Sequence, residues 1–208
     1  FYGKINYSLE GEKWGIKDYD GKVVFEPSFD RIVRFDYHDD KLKEKTYFQK
    51  NGKMGMIDKN YNILIEPKYD SLSEFTNDLT RSERGGYIYL IDDKTGEEKY
   101  GPFKEIGWGD EYITMRSTDN LYGYITNGGE TVISPRFHDA TRFIKTIAGV
   151  KINNKWGVID LSGNLIVKPY FDSVSVEETG IIRCNVKNKI GYINTVGLKI
   201  FEIWKPSN

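Results

Sequence analysis

The chain is short of the side chains that carry most enzymatic chemistry. Its 208 residues include one cysteine, Cys184, and two histidines, His38 and His138. A single cysteine excludes an intramolecular disulfide and leaves the redox compartment open. Long apolar runs are missing too: the longest strongly apolar stretch, Tyr87 to Ile91, is far too short to span a bilayer, so no membrane insertion is expected. Neither sign of charge is in excess, since 30 Lys and Arg face 31 Asp and Glu for a net charge of −1. With both signs interspersed there is no electrostatic footprint for nucleic acid or an anionic surface. No P-loop, dinucleotide fingerprint or nucleophile elbow occurs, and Gly85-Gly86 lacks the Lys-Ser/Thr that a phosphate cradle needs. An initiator methionine is also absent: residue 1 is Phe1, which leans the expectation toward a processed or excised chain of secreted or cell-envelope origin.

Aromatics and glycine are what the chain has in quantity. There are 15 Tyr, 11 Phe, 4 Trp and 21 Gly alongside frequent Val and Ile, a mixture that favours strands and turns over helices. These residues recur with a period. Starting from Gly55, steps of 34 reach Tyr89, Gly123, Gly157 and Gly191, while Gly15 lies 40 residues before Gly55. The polar stretch Asp36-Tyr37-His38-Asp39-Asp40-Lys41 accounts for the longer first step. A bulky residue precedes each anchor (Trp14, Met54, Ile88, Tyr122, Trp156, Ile190), and Asp18, Asp58, Asp92 and Asp160 follow three residues after it. Further along come a glycine, then Pro27, Pro67, Pro135 and Pro169, then an aromatic at Phe29, Tyr69, Phe103, Phe137 and Phe171. Self-similarity at this period is the mark of a tandem repeat.

Each copy reads as three strands. The first runs from the bulky-Gly pair to the Asp, whose side chain caps an Asx turn. The second is an apolar triplet such as Leu165-Ile166-Val167, expected to be covered on both faces and ended by its proline. The spacing of Phe29, Ile32 and Phe35 predicts a brief helical turn, and a third strand such as Gly149 to Ile152 leads into the next copy. A glycine inside a strand marks close approach, here expected from an aromatic of a neighbouring copy, with a β-bulge as the other explanation. The fold class is therefore all-β: six three-stranded units spanning 1–208 as one domain, in an open twisted β-solenoid or, alternatively, a closed propeller-like ring in which the first strand completes the last unit.

The segments Lys13-Trp14-Gly15-Ile16 and Lys155-Trp156-Gly157-Val158-Ile159-Asp160, with Pro27-Ser28-Phe29-Asp30 and Pro67-Lys68-Tyr69-Asp70, resemble the bacterial WG β-repeat family. The resemblance covers about residues 11 to 201, although Met54, Ile88, Tyr122 and Ile190 stand where the family prefers Trp. It implies a repeat-built, mainly bacterial protein without catalytic residues or a general ligand. The similarly named nucleic-acid-binding WGR module is not implied, because Ile16 and Val158 hold its Arg position.

Against this frame the reactive residues take structural places. His138 occupies the position of Asp30, Asp70 and Asp172, Cys184 that of the core residue Val150, and His38 lies in the polar insertion. No metal or organic cofactor is expected, and no enzymatic activity. Copy three departs most from the pattern: its anchor is Tyr89, its second strand reads Glu97-Glu98-Lys99, and Trp108 falls outside the repeat. Departures in repeat proteins collect where the scaffold carries function. The candidate recognition patch is therefore Trp108 with Arg84, Tyr100 and Tyr112, and the expected role is a non-catalytic scaffold for a protein or other surface ligand. An intracellular interaction protein, such as a toxin-immunity partner, is the alternative.

Overall fold

The computed structural model describes residues 4–9, 13–18, 20–33, 44–76, 78–109, 111–187, 189–194 and 199–206, with side chains described from residue 13 to residue 193. No helix occurs among them. Strands form where β-branched and aromatic residues alternate, and Asp, Asn and Gly turns separate them. The first sheet has three strands, β1 (Lys4–Leu9), β2 (Lys13–Asp18) and β3 (Val23–Phe29). Two four-stranded sheets follow. One is β4 (Arg31–Ile32), β5 (Lys45–Lys50), β6 (Lys53–Asp58) and β7 (Ile63–Tyr69); the next is β8 (Ser71–Glu74), β9 (Leu79–Arg84), β10 (Tyr87–Asp92) and β11 (Glu98–Phe103). Three more have the same order: β12 (Glu105–Ile106) to β15 (Thr131–Phe137) through β13 (Tyr112–Arg116) and β14 (Tyr122–Thr126); β16 (Asp139–Ala140), β17 (Ile147–Ile152), β18 (Lys155–Asp160) and β19 (Leu165–Phe171); and β20 (Ser173–Val176), β21 (Ile181–Val186), β22 (Lys189–Asn194) and β23 (Lys199–Pro206). All pairings are antiparallel.

The all-β tandem repeat stands, but a sheet holds four strands where three were expected. The extra one is the segment read as a helical turn. Two to four residues after each aromatic run extended along the next copy's inner strand, as Ile32 beside Phe48 and Val174 beside Cys184. An aromatic and an aliphatic three apart suit a helical turn equally well, so spacing alone misleads. β1 pairs with β2 in its own sheet, and the last sheet has four strands of its own, so the first strand does not complete the last unit.

The outer strands correct two further expectations. Proline does not end them: β7 runs through Pro67 and β19 through Pro169, across a shift in register. Val158 pairs with Val167 and Trp156 with Phe171, so Gly157 alone faces the three residues Lys168, Pro169 and Tyr170. At Gly157 and Gly123 that bulge, not a neighbouring aromatic, is what the anchor glycine makes room for, whereas at Gly55 a Cβ would meet both the expected aromatic, the Phe48 ring of the preceding copy at 2.5 Å, and the Ile65 carbonyl at 2.7 Å. A Cβ on Gly157 would lie 2.6 Å from the Val167 carbonyl oxygen, and one on Gly123 2.5 Å from that of Ile133. Proline fits because a bulge needs no ladder donor there. Nor are the apolar triplets covered on both faces: Val23, Ile63, Val132 and Leu165 are exposed, because these strands are sheet edges.

The chain falls into two compact units, residues 1–101 and 102–208. Within the first, Ile16, Phe29, Phe48 and Ile57 form one buried cluster between successive sheets, and Met56, Ile65, Tyr69 and Ile91 form the next. In the second, Tyr124, Phe137, Val150 and Ile159 form one cluster and Val158, Val176, Ile182 and Ile193 another. Each apolar layer thus joins one copy to the following one.

Candidate binding surface

Trp108 is the most exposed large apolar side chain among the described residues, at 79%. It stands in a loop between β12 and β13 whose backbone is laid closely on β13. The Gly107 N–H donates to the Thr114 carbonyl at 2.8 Å. A Cβ on Gly107 would meet Thr114 Oγ1 at 2.3 Å, and one on Gly109 would meet the Tyr112 carbonyl at 2.6 Å. Both flanking positions thus lie close against the sheet, while the indole between them is open to solvent. Tyr112 is half-buried and packs edge-on to Phe143 at 5.6 Å. Both belong to the second unit, while Arg84 and Tyr100 lie in the first. Tyr100 is half-buried with the Lys99 ammonium 5.8 Å from its ring.

Arg84 is engaged within the scaffold. Its guanidinium makes two hydrogen bonds to Glu98, at 2.7 and 3.2 Å, and lies over the rings of Tyr69 and Tyr89 at 5.4 and 4.7 Å. The Tyr69 hydroxyl donates to the same carboxylate at 2.6 Å, and Lys68 lies 3.0 Å away. Burial alone would raise the pKa of Glu98, but the donors from Tyr69, Lys68 and Arg84 outweigh it and hold it at about 2. The polar second strand of copy three therefore has a structural reason: its glutamate joins β7 to β9 and β11. The glycine missing at Tyr89 reappears across the ladder at Gly101, where a Cβ would meet the Ile88 carbonyl at 2.8 Å.

The lysine and aspartate of the repeat motif meet in space. Lys13, Lys53 and Lys155 pair with Asp30, Asp70 and Asp172, seventeen residues on in each case. The second oxygen of each aspartate accepts a backbone N–H from the following hairpin turn: Gly52 at 2.8 Å, Gly85 at 2.9 Å and Lys187 at 2.7 Å. Each carboxylate thus staples one sheet to the next. In copies three and four both partners change together, to Tyr87 with Lys104 and Leu121 with His138. The four turn aspartates accept backbone N–H groups of their own turns, such as Asn62 to Asp58 and Asn164 to Asp160, both at 2.8 Å.

The family model for the WG containing repeat matches residues 14–53, 54–86, 122–156 and 156–189, more than half of the chain. The chain belongs to the WG-containing repeat family. The matches omit the copy that begins at Ile88, which is the one that carries Glu98, Gly101 and Trp108. No curated protein matches the chain. Among solved structures it is similar to the computationally designed Ika8 protein, at 12% identity and a TM-score of 0.35, covering 89% of this chain and 65% of that one. It is also similar to PorZ, a surface component of the type-IX secretion system of Porphyromonas gingivalis (10% identity, TM-score 0.40, 96% of this chain and 31% of that one). A third is the WD40 β-propeller domain of Doa1 (8% identity, TM-score 0.34, 99% and 79%). Likenesses this distant say nothing about what a WG-repeat chain binds.

The remaining candidates from the sequence take scaffold positions in the WG repeats. Cys184 is buried against Ile182 and Ile193, and burial pushes its thiol up. His138 is exposed and uses its backbone N–H on the Lys151 carbonyl at 2.9 Å. His38 and its polar insertion lie outside the described residues. Among the described residues no three His, Cys, Asp or Glu side chains are grouped as metal ligands.

One buried polar group escaped the sequence reading. Asp93, 6% exposed, is ion-paired with Lys45 and accepts a hydrogen bond from Thr80. Burial, with Glu74 and Asp93 nearby, pushes the Tyr47 hydroxyl up to about 12. The signal was there: Lys45 faces Asp58 across the ladder, where Leu79 and Ile147 stand opposite Asp92 and Asp160. It ties β5 to β9 and the turn after β10, so the pair bridges two successive sheets.

Proposed function

We propose that the chain is a non-catalytic binding scaffold that recognises a protein or other surface ligand through a patch centred on Trp108. The observation that carries this reading is the 79% exposure of an indole held between two glycines that have no room for a side chain of their own. Covering a large aromatic ring stabilises a complex by about 2–4 kcal/mol, and Trp is the side chain most enriched at such positions. The aspartates and Glu98 described above are committed to turns, staples, the buried pair and the Arg84 contact, which supports a binding role over chemistry. Tyr112, four residues on, is the next contact in this reading, whereas Arg84 serves the scaffold.

The test is a photo-crosslinker placed at exposed Glu111 and used in the native host, in otherwise wild-type and Trp108→Ala backgrounds. A single predominant adduct in the first background, lost in the second while the melting temperature is unchanged, supports the reading. An adduct kept by Trp108→Ala, or a variant that unfolds, overturns it.

A further inference from the structure

Lys45 stands where the repeat places an aliphatic side chain. It begins β5 opposite Asp58, and the residues opposite Asp92 and Asp160 in two other copies are Leu79 and Ile147, both buried. Asp93 departs from the pattern as well. The residue at its place in the other copies is Tyr19, Lys59, Asn127, Leu161 or Thr195, none of them acidic. The two departures meet in space. Lys45 Nζ lies against Asp93 Oδ2, and the two side chains are only 20% and 6% exposed. Later copies lack the pair and stack on apolar clusters, so the scaffold as such does not require it.

The surroundings treat the two oxygens of Asp93 differently. Thr80 Oγ1 donates to Oδ1, while Oδ2 faces the ammonium. The Asp93 backbone N–H donates to the Asp78 carbonyl at 3.0 Å, which fixes the turn that carries the carboxylate. Strand β5 fixes the amine. Little water reaches the place: burial is the largest of the causes that push up the Tyr47 hydroxyl, two residues along β5 from Lys45. A primary amine and a carboxyl group held together on two rigid elements need no diffusional encounter to react. A dry site also favours their neutral forms over their charged ones.

We propose that Lys45 and Asp93 condense to an intramolecular isopeptide bond, so that the pair is a self-processing cross-linking site between the second and third sheets. One proton passes from the Lys45 ammonium to Asp93 Oδ2, leaving a neutral amine and a carboxylic acid. The amine nitrogen attacks Asp93 Cγ, and the Thr80 hydroxyl supports the charge that grows on Oδ1. The Cγ–Oδ2 bond then breaks, a second proton leaves the nitrogen for that oxygen, and water departs. The new bond is the Nζ–Cγ amide. No oxidant or cofactor is consumed, and one ammonium and one carboxylate disappear together, so the net charge is unchanged. The bond joins residues 48 apart in sequence. The junction it closes therefore holds when the chain is pulled or is cut between the two residues.

The test is the intact mass of the whole chain, measured after denaturation. The wild type should be lighter than its sequence by one water molecule. Trypsin should then release a fragment that runs uncleaved through Lys45 and is joined to residues 85–94, which carry Asp93. Lys45→Arg, which keeps a cation beside the carboxylate, and Asp93→Ala should both have the full mass of their sequences. A wild type of full mass means an ion pair and nothing more, and it overturns the proposal. So does a missing water that persists in Lys45→Arg or maps to another pair of residues. Mass and fragment of the wild type decide the matter if the variants fail to fold.

Discussion

At Gly157 an added methyl group would sit 2.6 Å from the Val167 carbonyl and 2.9 Å from the Pro169 nitrogen, both backbone atoms of the bulged strand. At Gly128, in a turn, the nearest atom is Glu130 Oε2 at 2.7 Å, the end of a flexible side chain that can move aside. Both glycines have little room, and they differ in whether the neighbour can give. Gly157→Ala should therefore lower stability by about 2 kcal/mol, as overpacking against backbone does, and Gly128→Ala by less than about 0.5 kcal/mol. Chemical denaturation of the two variants checks this, and equal losses would remove the bulge from the explanation. Trp108 gives the opposite case. A side chain already in water contributes little to folding, so Trp108→Ala should leave stability within about 0.5 kcal/mol of the parent. That small change is what makes it a usable probe of binding.

At the scale of single strands, the sequence showed the repeat, its register and its turn aspartates, because those depend on residues within one copy. It did not show the short strands. Two residues such as Arg31-Ile32 carry no periodicity, and their pairing partner stands at Gln49 and Phe48, outside any local window. Exposure of Leu165 was hidden for a related reason: an apolar triplet does not say whether its strand is central or at an edge. Of the site, Trp108 was visible as a break in pattern, while the engagement of Arg84 depended on Glu98 and on Tyr69 in the preceding sheet. The Glu98 network yields its own test. Glu98 accepts from Tyr69, Arg84 and Lys68 while only 26% exposed, so Glu98→Gln should cost about 1–2 kcal/mol. A double-mutant cycle with Arg84→Met should show coupling between the two, and strict additivity would mean that the pair is incidental.

Across the whole molecule, the staple aspartates set a common response to acid. Each is held below its ordinary value of 3.8: Asp30 by the Gly52 amide and then Lys13, Asp70 by Lys53 and then Gly85, Asp172 by Lys155 and then Lys187. A carboxylate depressed in the folded state binds fewer protons there than in the unfolded chain. Its contribution is complete above the ordinary value and is lost as pH falls through the depressed one. The melting temperature should accordingly hold near neutrality and decline between about pH 4 and pH 2, with Glu98 adding to the lower end. A chain with Asp30→Asn, Asp70→Asn and Asp172→Asn should melt earlier at pH 7 and decline less steeply in acid. An unchanged slope would show that the staples do not govern it.

A different consequence follows from the short strands. Every complete sheet is assembled from two neighbouring copies, the first lending a short and an inner strand, the second its bulky-Gly and outer strands. No cut in the sequence coincides with a sheet boundary and a copy boundary at once. Gain or loss of one whole period, wherever it starts, nevertheless leaves the number of strands in each sheet the same, because what is removed at one side of the cut is supplied at the other. Joining Tyr122 directly to Gly157 would restore a bulky-Gly pair in mid-strand. A gene of this kind can therefore lengthen or shorten by recombination at any phase, and the offset between copy and sheet is what frees such events from having to find a seam.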